Sequence, residues 1–469
     1  MGEAESLLSV LRRTADPKIV AAIEELVAHG RDRDLNRINV LAFAAKGGFA
    51  ADPTIAAFLH ASRLGLFEMS WNVLCPGCGG VLSVNANLSG IHEDIYNCSL
   101  CAAGYEPTLD EIVEVAFTVS PRIRRIAAHD PNTLPPIEYY RQMFWGSGVD
   151  LPDEGLEAAF EAATLDVLEL PPGQKALLTV LLPEGRVVCF EPVTHSAHFF
   201  MVGGEPTHER QTLSITYNEL SSPSGKDELR PGPLRLALEN QAAVRVIPTV
   251  WVLNDKMYAI LSRRRPFLTA KRLLSNQTFR NLYRAEALDI DQRLKILSLT
   301  FLFTDLKGST AFYERVGDLS AYDLVRSHFH VLHEIVAAES GAVVKTIGDA
   351  VMATFTTPDR ALAAALKMRD GMRDLNEERG HEDLILKIGI HEGPCLAVNL
   401  NDRQDYFGQT VNIASRVQNL ADSRTIYATE PVVEYPQSSE LLTGAGIVPK
   451  PRDVELRGVT EHVRIYEIP

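Results

Sequence analysis

Along the first seventy residues, apolar positions recur every three to four places, the spacing of helices with one buried face. Asp16-Pro17 supplies an N-cap followed by proline at the first helical position. Ile19, Val20, Ile23, Leu26 and Val27 form the stripe, and Gly30 ends it. A second helix is predicted through Leu35, Ile38 and Leu41, stopping at Gly47-Gly48. Asp52-Pro53 opens a third, with Ile55, Phe58 and Leu59 inward. Residues 66–74 turn extended, so residues 1–70 read as helical with a winged-helix-like order. Residues 111–119 alternate as a strand, and an acidic helix is predicted near 154–162.

The period then changes. Apolar runs at 176–182, 186–190, 212–217 and 244–252 are separated by Gly, Pro, Ser and Asn clusters, so the β-rich domain at 107–266 reads as an all-β sandwich. Residues 221–233 are predicted to be a mobile loop. Residues 267–296 return to helical spacing through Leu273, Phe279, Leu282 and Leu288, as a linker.

From 297 to 469 strands and helices alternate. The run at 297–304 is almost wholly apolar, as in a buried central strand. One helix is predicted from Ser309 to Gly317, and a longer one buries Leu324, Val331, Leu332 and Ile335. Strands at 342–347 and 350–355 meet at Gly348-Asp349, a hairpin signal. A helix with Leu362, Leu366 and Met372 precedes a strand at 384–390. This β-α-α-β-β-α-β order is ferredoxin-like, and the whole chain is expected to be multidomain α+β.

At 469 residues the chain is too long for one ordinary core. A formal charge of −15 argues against a chain devoted to nucleic acid, though it leaves room for one basic patch in the N-terminal region. No apolar run has bilayer-spanning length, and the start lacks the profile of a secretory signal. A cytoplasmic protein without a membrane partner is expected. Cys189 and Cys395 stand alone in apolar runs, whereas Cys75/Cys78 and Cys98/Cys101 form two CxxC pairs. Four thiolates in that pattern suit tetrahedral Zn²⁺ with no open position, a structural zinc ribbon over 71–106.

The remaining chemistry is acidic. Asp305 ends the predicted central strand, and Asp349 sits at the hairpin tip. Taken singly, these are ordinary strand-end and turn residues. Side by side they offer hard oxygen ligands for two Mg²⁺ ions. Gly308-Ser309-Thr310 opens a helix whose free N–H groups would face phosphate oxygens. The combination suits a metal-bound nucleoside triphosphate.

Four ordered motifs carry a resemblance. They are Phe303-Thr304-Asp305-Leu306-Lys307-Gly308-Ser309-Thr310, Lys345-Thr346-Ile347-Gly348-Asp349-Ala350-Val351-Met352-Ala353, Gly389-Ile390-His391-Glu392-Gly393 and Asp405-Tyr406-Phe407-Gly408-Gln409-Thr410-Val411-Asn412-Ile413-Ala414-Ser415-Arg416. Residues 297–469 thereby resemble the class III adenylyl and guanylyl cyclase catalytic domain. The resemblance implies that Asp305 and Asp349 hold two Mg²⁺ or Mn²⁺ ions and that Lys345 and Asp405 read the base. It further implies that Asn412 orients the ribose and Arg416 stabilises charge on the transferring phosphate. Arg457, in Glu455-Leu456-Arg457-Gly458, matches more loosely a residue on the terminal phosphates, because the family usually has Lys there. His391 is expected to pack or hydrogen-bond near the sheet. Alone, Lys345 is an edge lysine, Asp405 a loop acid, and Asn412 and Arg416 an exposed polar pair; the ordered set is what points to a site.

Adenine offers a donor at its 6-position and an acceptor at N1; guanine reverses both. Lys345 only donates and ionised Asp405 only accepts, so the pair is expected to favour ATP over GTP by at least about tenfold. The resemblance implies an enzyme in which the ribose 3′-hydroxyl attacks the α-phosphorus and pyrophosphate leaves. It also implies a homodimer, with metal ligands from one chain and base readers from the other. The upstream region is similar to N-terminal regions on some bacterial cyclases, and 276–288 stands where they carry a short transducing element. Two other functions fit less well. A guanylate cyclase is opposed by Lys345 and Asp405. A nucleotide-sensing module with a DNA- or protein-binding N-terminal region would not need the full catalytic set.

Overall fold

The computed structural model describes residues 2–218, 225–283, 288, 292–308, 314–315, 317–382, 384–400, 403–421, 425–459 and 462–469. It divides into two compact units: residues 1–107 with 111–268, and residues 108–110 with 269–469.

The first unit opens with helices Glu3–Leu11, Pro17–His29, Val40–Gly47 and Ala51–Arg63. Asp16 caps the second, its carboxylate accepting the Lys18 N–H at 2.8 Å. The predicted helix through Leu35 and Ile38 is corrected. Asp32–Leu35 is a short 3₁₀ turn, Ile38 bridges to Phe117, and the helix starts only at Val40. Asn39 fixes that start by accepting from Leu41 and Ala42 N–H groups at 3.1 and 3.0 Å. Leu35 and Ile38 are buried all the same, so their spacing looked helical. Phe67–Leu74 is the middle strand of an antiparallel sheet, between Val81–Asn85 and Val113–Val119.

Two further sheets follow. One holds Gln211–Tyr217, Gly232–Asn240 and Lys175–Leu182; the other holds Gly225–Leu229, Ser196–Val202, Gly185–Glu191, Thr249–Val252 and Thr164–Val167. Lys175–Leu182 alternates exposed and buried residues, burying Leu178, Val180 and Leu182. These share one core with Val187, Cys189, Phe200 and Val250 of the other sheet. The loop predicted at 221–233 is corrected in part: Gly225–Leu229 is a strand paired in parallel with Ser196–Val202. Residues 221–224 of that prediction lie outside the described residues. The strand predicted at 244–252 begins only at Thr249.

The second unit gains a strap from far upstream. Leu109 N–H donates to the Lys295 carbonyl at 3.0 Å, and the Leu109 carbonyl accepts from Lys271 N–H at 2.9 Å. Asp110 pairs with Lys271 at 3.0 Å and accepts the Leu297 N–H at 2.5 Å. Helices α1 (Ala270–Leu274) and α2 (Gln277–Leu282) are capped by Thr269 and Asn276. The helix expected over 276–288 ends at Leu282, and 284–287 lie outside the described residues.

The second unit then runs β1 (Leu294–Leu306), α3 (Asp318–Ala338), β2 (Ala342–Ile347), β3 (Ala350–Phe355), α4 (Pro358–Arg379), β4 (Leu386–Leu400), β5 (Arg403–Phe407), α5 (Gln409–Leu420), β6 (Ile426–Thr429), β7 (Lys450–Val454) and β8 (Val463–Ile468). Sheet order is β2-β3-β1-β4-β6-β8-β7, with β5 on β4. The first four strands have the ferredoxin-like order. Leu324, Leu332 and Val336 of α3 and Leu362, Met368 and Met372 of α4 bury against Leu302, Val351, Ile388 and Ile390 of the sheet. The helix predicted from Ser309 falls largely outside the described residues. No described helix is long and apolar enough to cross a membrane.

Candidate nucleotide site

The acids come first along the chain. Asp305 is the last residue but one of β1. Thr304 Oγ1, one residue before it, accepts the Val351 N–H at 3.1 Å and pins the start of β3 beside it. The intervening turn places Gly348 at φ +64°, a left-handed conformation that glycine adopts without a Cβ penalty, and Asp349 follows. Burial raises the pKa of Asp305, and the neighbouring Asp349 carboxylate raises it further. Lys387, its cross-strand partner on β4, opposes both. Asp349 Oδ2 is buried and meets no hydrogen-bond donor among the described residues. Two carboxylates with an orphaned oxygen and excess negative charge fit a hard divalent cation, Mg²⁺ or Mn²⁺. Gly308 forms an exposed turn at φ +70°. Ser309 and Thr310 lie outside the described residues.

The second group is already paired. Lys345 stands on the edge strand β2, just past a register shift between Val343 and Lys345. Asp405 lies on β5 opposite Val398. Lys345 Nζ contacts Asp405 Oδ2, while Asp405 Oδ1 accepts the Tyr406 N–H at 2.9 Å. The acid side chain is 9% exposed and the lysine 40%, so a fixed acceptor holds a more accessible donor.

The third group rides on α5. Asn412 is exposed and Arg416, one turn later, half-buried. Their placement depends on Gly389 of β4, where a Cβ would come within 2.1 Å of the Gln418 backbone nitrogen. Only glycine lets α5 lie this close to the strand. The Arg416 guanidinium rests near the turn at Gly458, 3.5 Å from where a Cβ there would sit, so the exposed Arg457 shares its corner. His391 hydrogen-bonds Thr429 Oγ1 at 2.8 Å, and burial pushes its pKa down to about 4. It is therefore neutral and part of the sheet packing. Among the described residues of one chain, no hydrogen bond or ion pair joins the acids to Lys345, Asn412 or Arg416. Two further residues, Gln277 and Arg280 of α2, touch the backbone beside Lys345 and Asp405. Their only signal in the sequence is a three-residue helical spacing.

In the first unit, the Cys75, Cys78, Cys98 and Cys101 sulfurs lie within 4.8 Å of one another. Cys75–Cys101 and Cys78–Cys98 are 3.6 and 3.7 Å apart. A tetrahedron of Zn–S bonds of about 2.3 Å has edges of about 3.8 Å, so the quartet fits zinc. Gly77 is held between the knuckles, where a Cβ would lie 2.9 Å from Cys101 Sγ.

The unit that carries this sheet matches, over residues 293–466, the adenylate and guanylate cyclase catalytic domain. The chain itself belongs to the family of unknown function DUF5939, which matches residues 1–281. An adenylate cyclase of Anabaena cylindrica is 29% identical over 185 residues, 36% of each chain. An adenylate cyclase of Mycosarcoma maydis is 30% identical over 167 residues, 31% of this chain and 7% of that one. The match thus spans about a third or less of these relatives' length. Among solved structures, the adenylyl cyclase CyaB from P. aeruginosa aligns with 38% of this chain and 96% of its own, at 22% identity and a TM-score of 0.34.

Proposed function

We propose that this protein is an adenylate cyclase, converting ATP to 3′,5′-cyclic AMP and pyrophosphate. The observation that carries this reading is the Lys345–Asp405 contact, a donor and an acceptor presented side by side. Lys345 donates to adenine N1 and Asp405 accepts from the exocyclic amine. Guanine at the same positions leaves both unmatched, which costs about 1–3 kcal/mol for each buried group. Asp305 and Asp349 hold two Mg²⁺ or Mn²⁺ ions. When bound, these neutralise phosphate charge and lower the pKa of the attacking 3′-hydroxyl. Asn412 orients the ribose for in-line attack. Arg416 meets the charge that builds on the α-phosphate, so it acts on the transition state more than on substrate binding. Arg457 contacts the terminal phosphates.

The protein works as a homodimer with two equivalent sites, each taking Asp305 and Asp349 from one chain and Lys345, Asp405, Asn412 and Arg416 from the other. That no hydrogen bond or ion pair joins the acids to Lys345, Asn412 or Arg416 among the described residues of one chain supports this reading. The cysteine quartet holds a structural zinc ion, and the first unit modulates turnover. Turnover of ATP and of GTP by the purified full chain, with Mg²⁺ and with Mn²⁺, tests the proposal. ATP is expected to be cyclised and GTP used at least about tenfold less efficiently. A protein that turns over neither is a sensor, and one that prefers GTP is a guanylate cyclase.

A further inference from the structure

Two side chains one turn apart on α2 reach into the strands that carry Lys345 and Asp405. Gln277 Oε1 accepts the Val343 N–H at 2.8 Å. Arg280 Nη2 donates to the Gln404 carbonyl at 2.9 Å and to the Val344 carbonyl at 3.4 Å. Val344 immediately precedes Lys345, and Gln404 immediately precedes Asp405. One guanidinium therefore spans the backbones of both members of the pair.

The register explains why these groups are available. β2 pairs with β3 through Val343↔Ala353 and then Lys345↔Met352, so Val344 is the extra residue of a bulge. A bulge leaves backbone groups without ladder partners and re-aims the side chain that follows. Here α2 supplies the partners in place of the sheet, and the re-aimed side chain is Lys345. Tyr406, next after Asp405, is buried and its hydroxyl reaches the Leu274 carbonyl of α1 at 3.5 Å. Arg280 Nη1 is buried without a hydrogen-bond partner among the described residues. A buried unpaired donor is costly, so stability alone does not explain an arginine here. Its reach does: Nη2 alone donates to both carbonyls, so one end of the guanidinium ties the two backbones together.

We propose that Arg280, assisted by Gln277, is a positioning residue for base recognition. It sets the separation of Lys345 and Asp405, and so links the placement of α2 to ATP affinity and to selectivity for ATP over GTP. The inference rests on Lys345 and Asp405 being the base readers. A clasp that only held the fold together would change stability and leave the substrate ratio alone.

The test is steady-state kinetics of the full chain with ATP and GTP for Arg280→Ala, Arg280→Lys and Gln277→Ala, each also in a Lys345→Glu/Asp405→Ser background. Arg280→Ala is expected to raise KM for ATP roughly tenfold, to lower the ATP:GTP ratio of kcat/KM, and to leave kcat within about threefold. Arg280→Lys recovers part of the loss, and Gln277→Ala gives a smaller change in the same direction. In the exchanged background, Arg280→Ala adds no further change in the ratio. Should Arg280→Ala fail to fold, Gln277→Ala and Arg280→Lys decide the matter by the same two readouts. Variants that lower thermal stability or kcat while KM and the ratio stay at the wild-type values overturn the inference. If the Lys345→Glu/Asp405→Ser exchange itself leaves the ratio untouched, the base-reading assignment falls and takes this inference with it. If that exchange shifts the ratio and the α2 variants do not, this inference alone falls.

Discussion

The Asp305–Asp349 pair and the Lys345–Asp405 pair sit on one sheet and are held in opposite ways. Asp305 and Asp349 repel each other, and one Asp349 oxygen is buried with no hydrogen-bond partner among the described residues. Lys345 and Asp405 satisfy each other, and Asp405 is further fixed by the Tyr406 N–H. One half is electrostatically incomplete until a cation arrives. The other is already organised, so under the proposed function its selectivity belongs to the protein alone. Sites that strain the fold in this way gain function at the expense of stability.

Substitutions should separate the halves, the largest effect coming from the acids. Asp349→Asn is expected to lower kcat by about a thousandfold or more, the scale of losing metal-assisted charge stabilisation. The same change should raise the melting temperature of the metal-free protein, because it removes a repelling buried charge. A fall in both activity and melting temperature would show that the acids are not strained. The cysteine quartet is a useful contrast, since the metal proposed there is structural. Cys98→Ser should lose the zinc, measured as metal content per chain, and destabilise the first unit by several kcal/mol in calorimetry. A variant that keeps its stability would remove zinc from the account.

Arg416→Ala should lower kcat by about a hundredfold or more with little change in KM. Mixing inactive Asp349→Asn with inactive Arg416→Ala chains should restore about a quarter of wild-type activity, since half the random dimers then carry one intact site of two. No recovery on mixing would place both halves in one chain. The smallest effect is on pH dependence. Asp305 has a raised pKa in the fold, so the metal-free fold binds more protons than the unfolded chain as that group titrates. Its contribution therefore makes the metal-free protein more stable as pH falls through that range, and Asp305→Asn should remove this slope. Denaturant titrations at a series of pH values check it.

Much of this contrast was legible in the sequence because its residues lie in local patterns. Asp305 ends an apolar run, and Gly348-Asp349 joins two strand-like segments. The cysteine pairs likewise declared by spacing that they would cluster. What holds the Lys345–Asp405 pair was not legible. Arg280 acts on carbonyl groups at residues 344 and 404, which carry no side-chain signature, and the bulge at Val344 is visible only from strand register. Leu35 and Ile38 misled for a related reason: an apolar residue three places from the next reads as helical even where a 3₁₀ turn and a bridge bury it. The strap at residues 108–110 was also invisible, because its partners Lys271 and Lys295 are more than 150 residues away. A truncation that removes residues 1–265 therefore discards this strap along with the first unit.

The central claim is that a lysine and an aspartate on neighbouring backbones choose the purine. Its most direct measurement is the ratio of kcat/KM for ATP to that for GTP, in the wild-type chain and in Lys345→Glu/Asp405→Ser. A ratio of at least about ten is expected, collapsing towards or below one on exchange. A wild-type ratio near one, or one that survives the exchange unchanged, would contradict it.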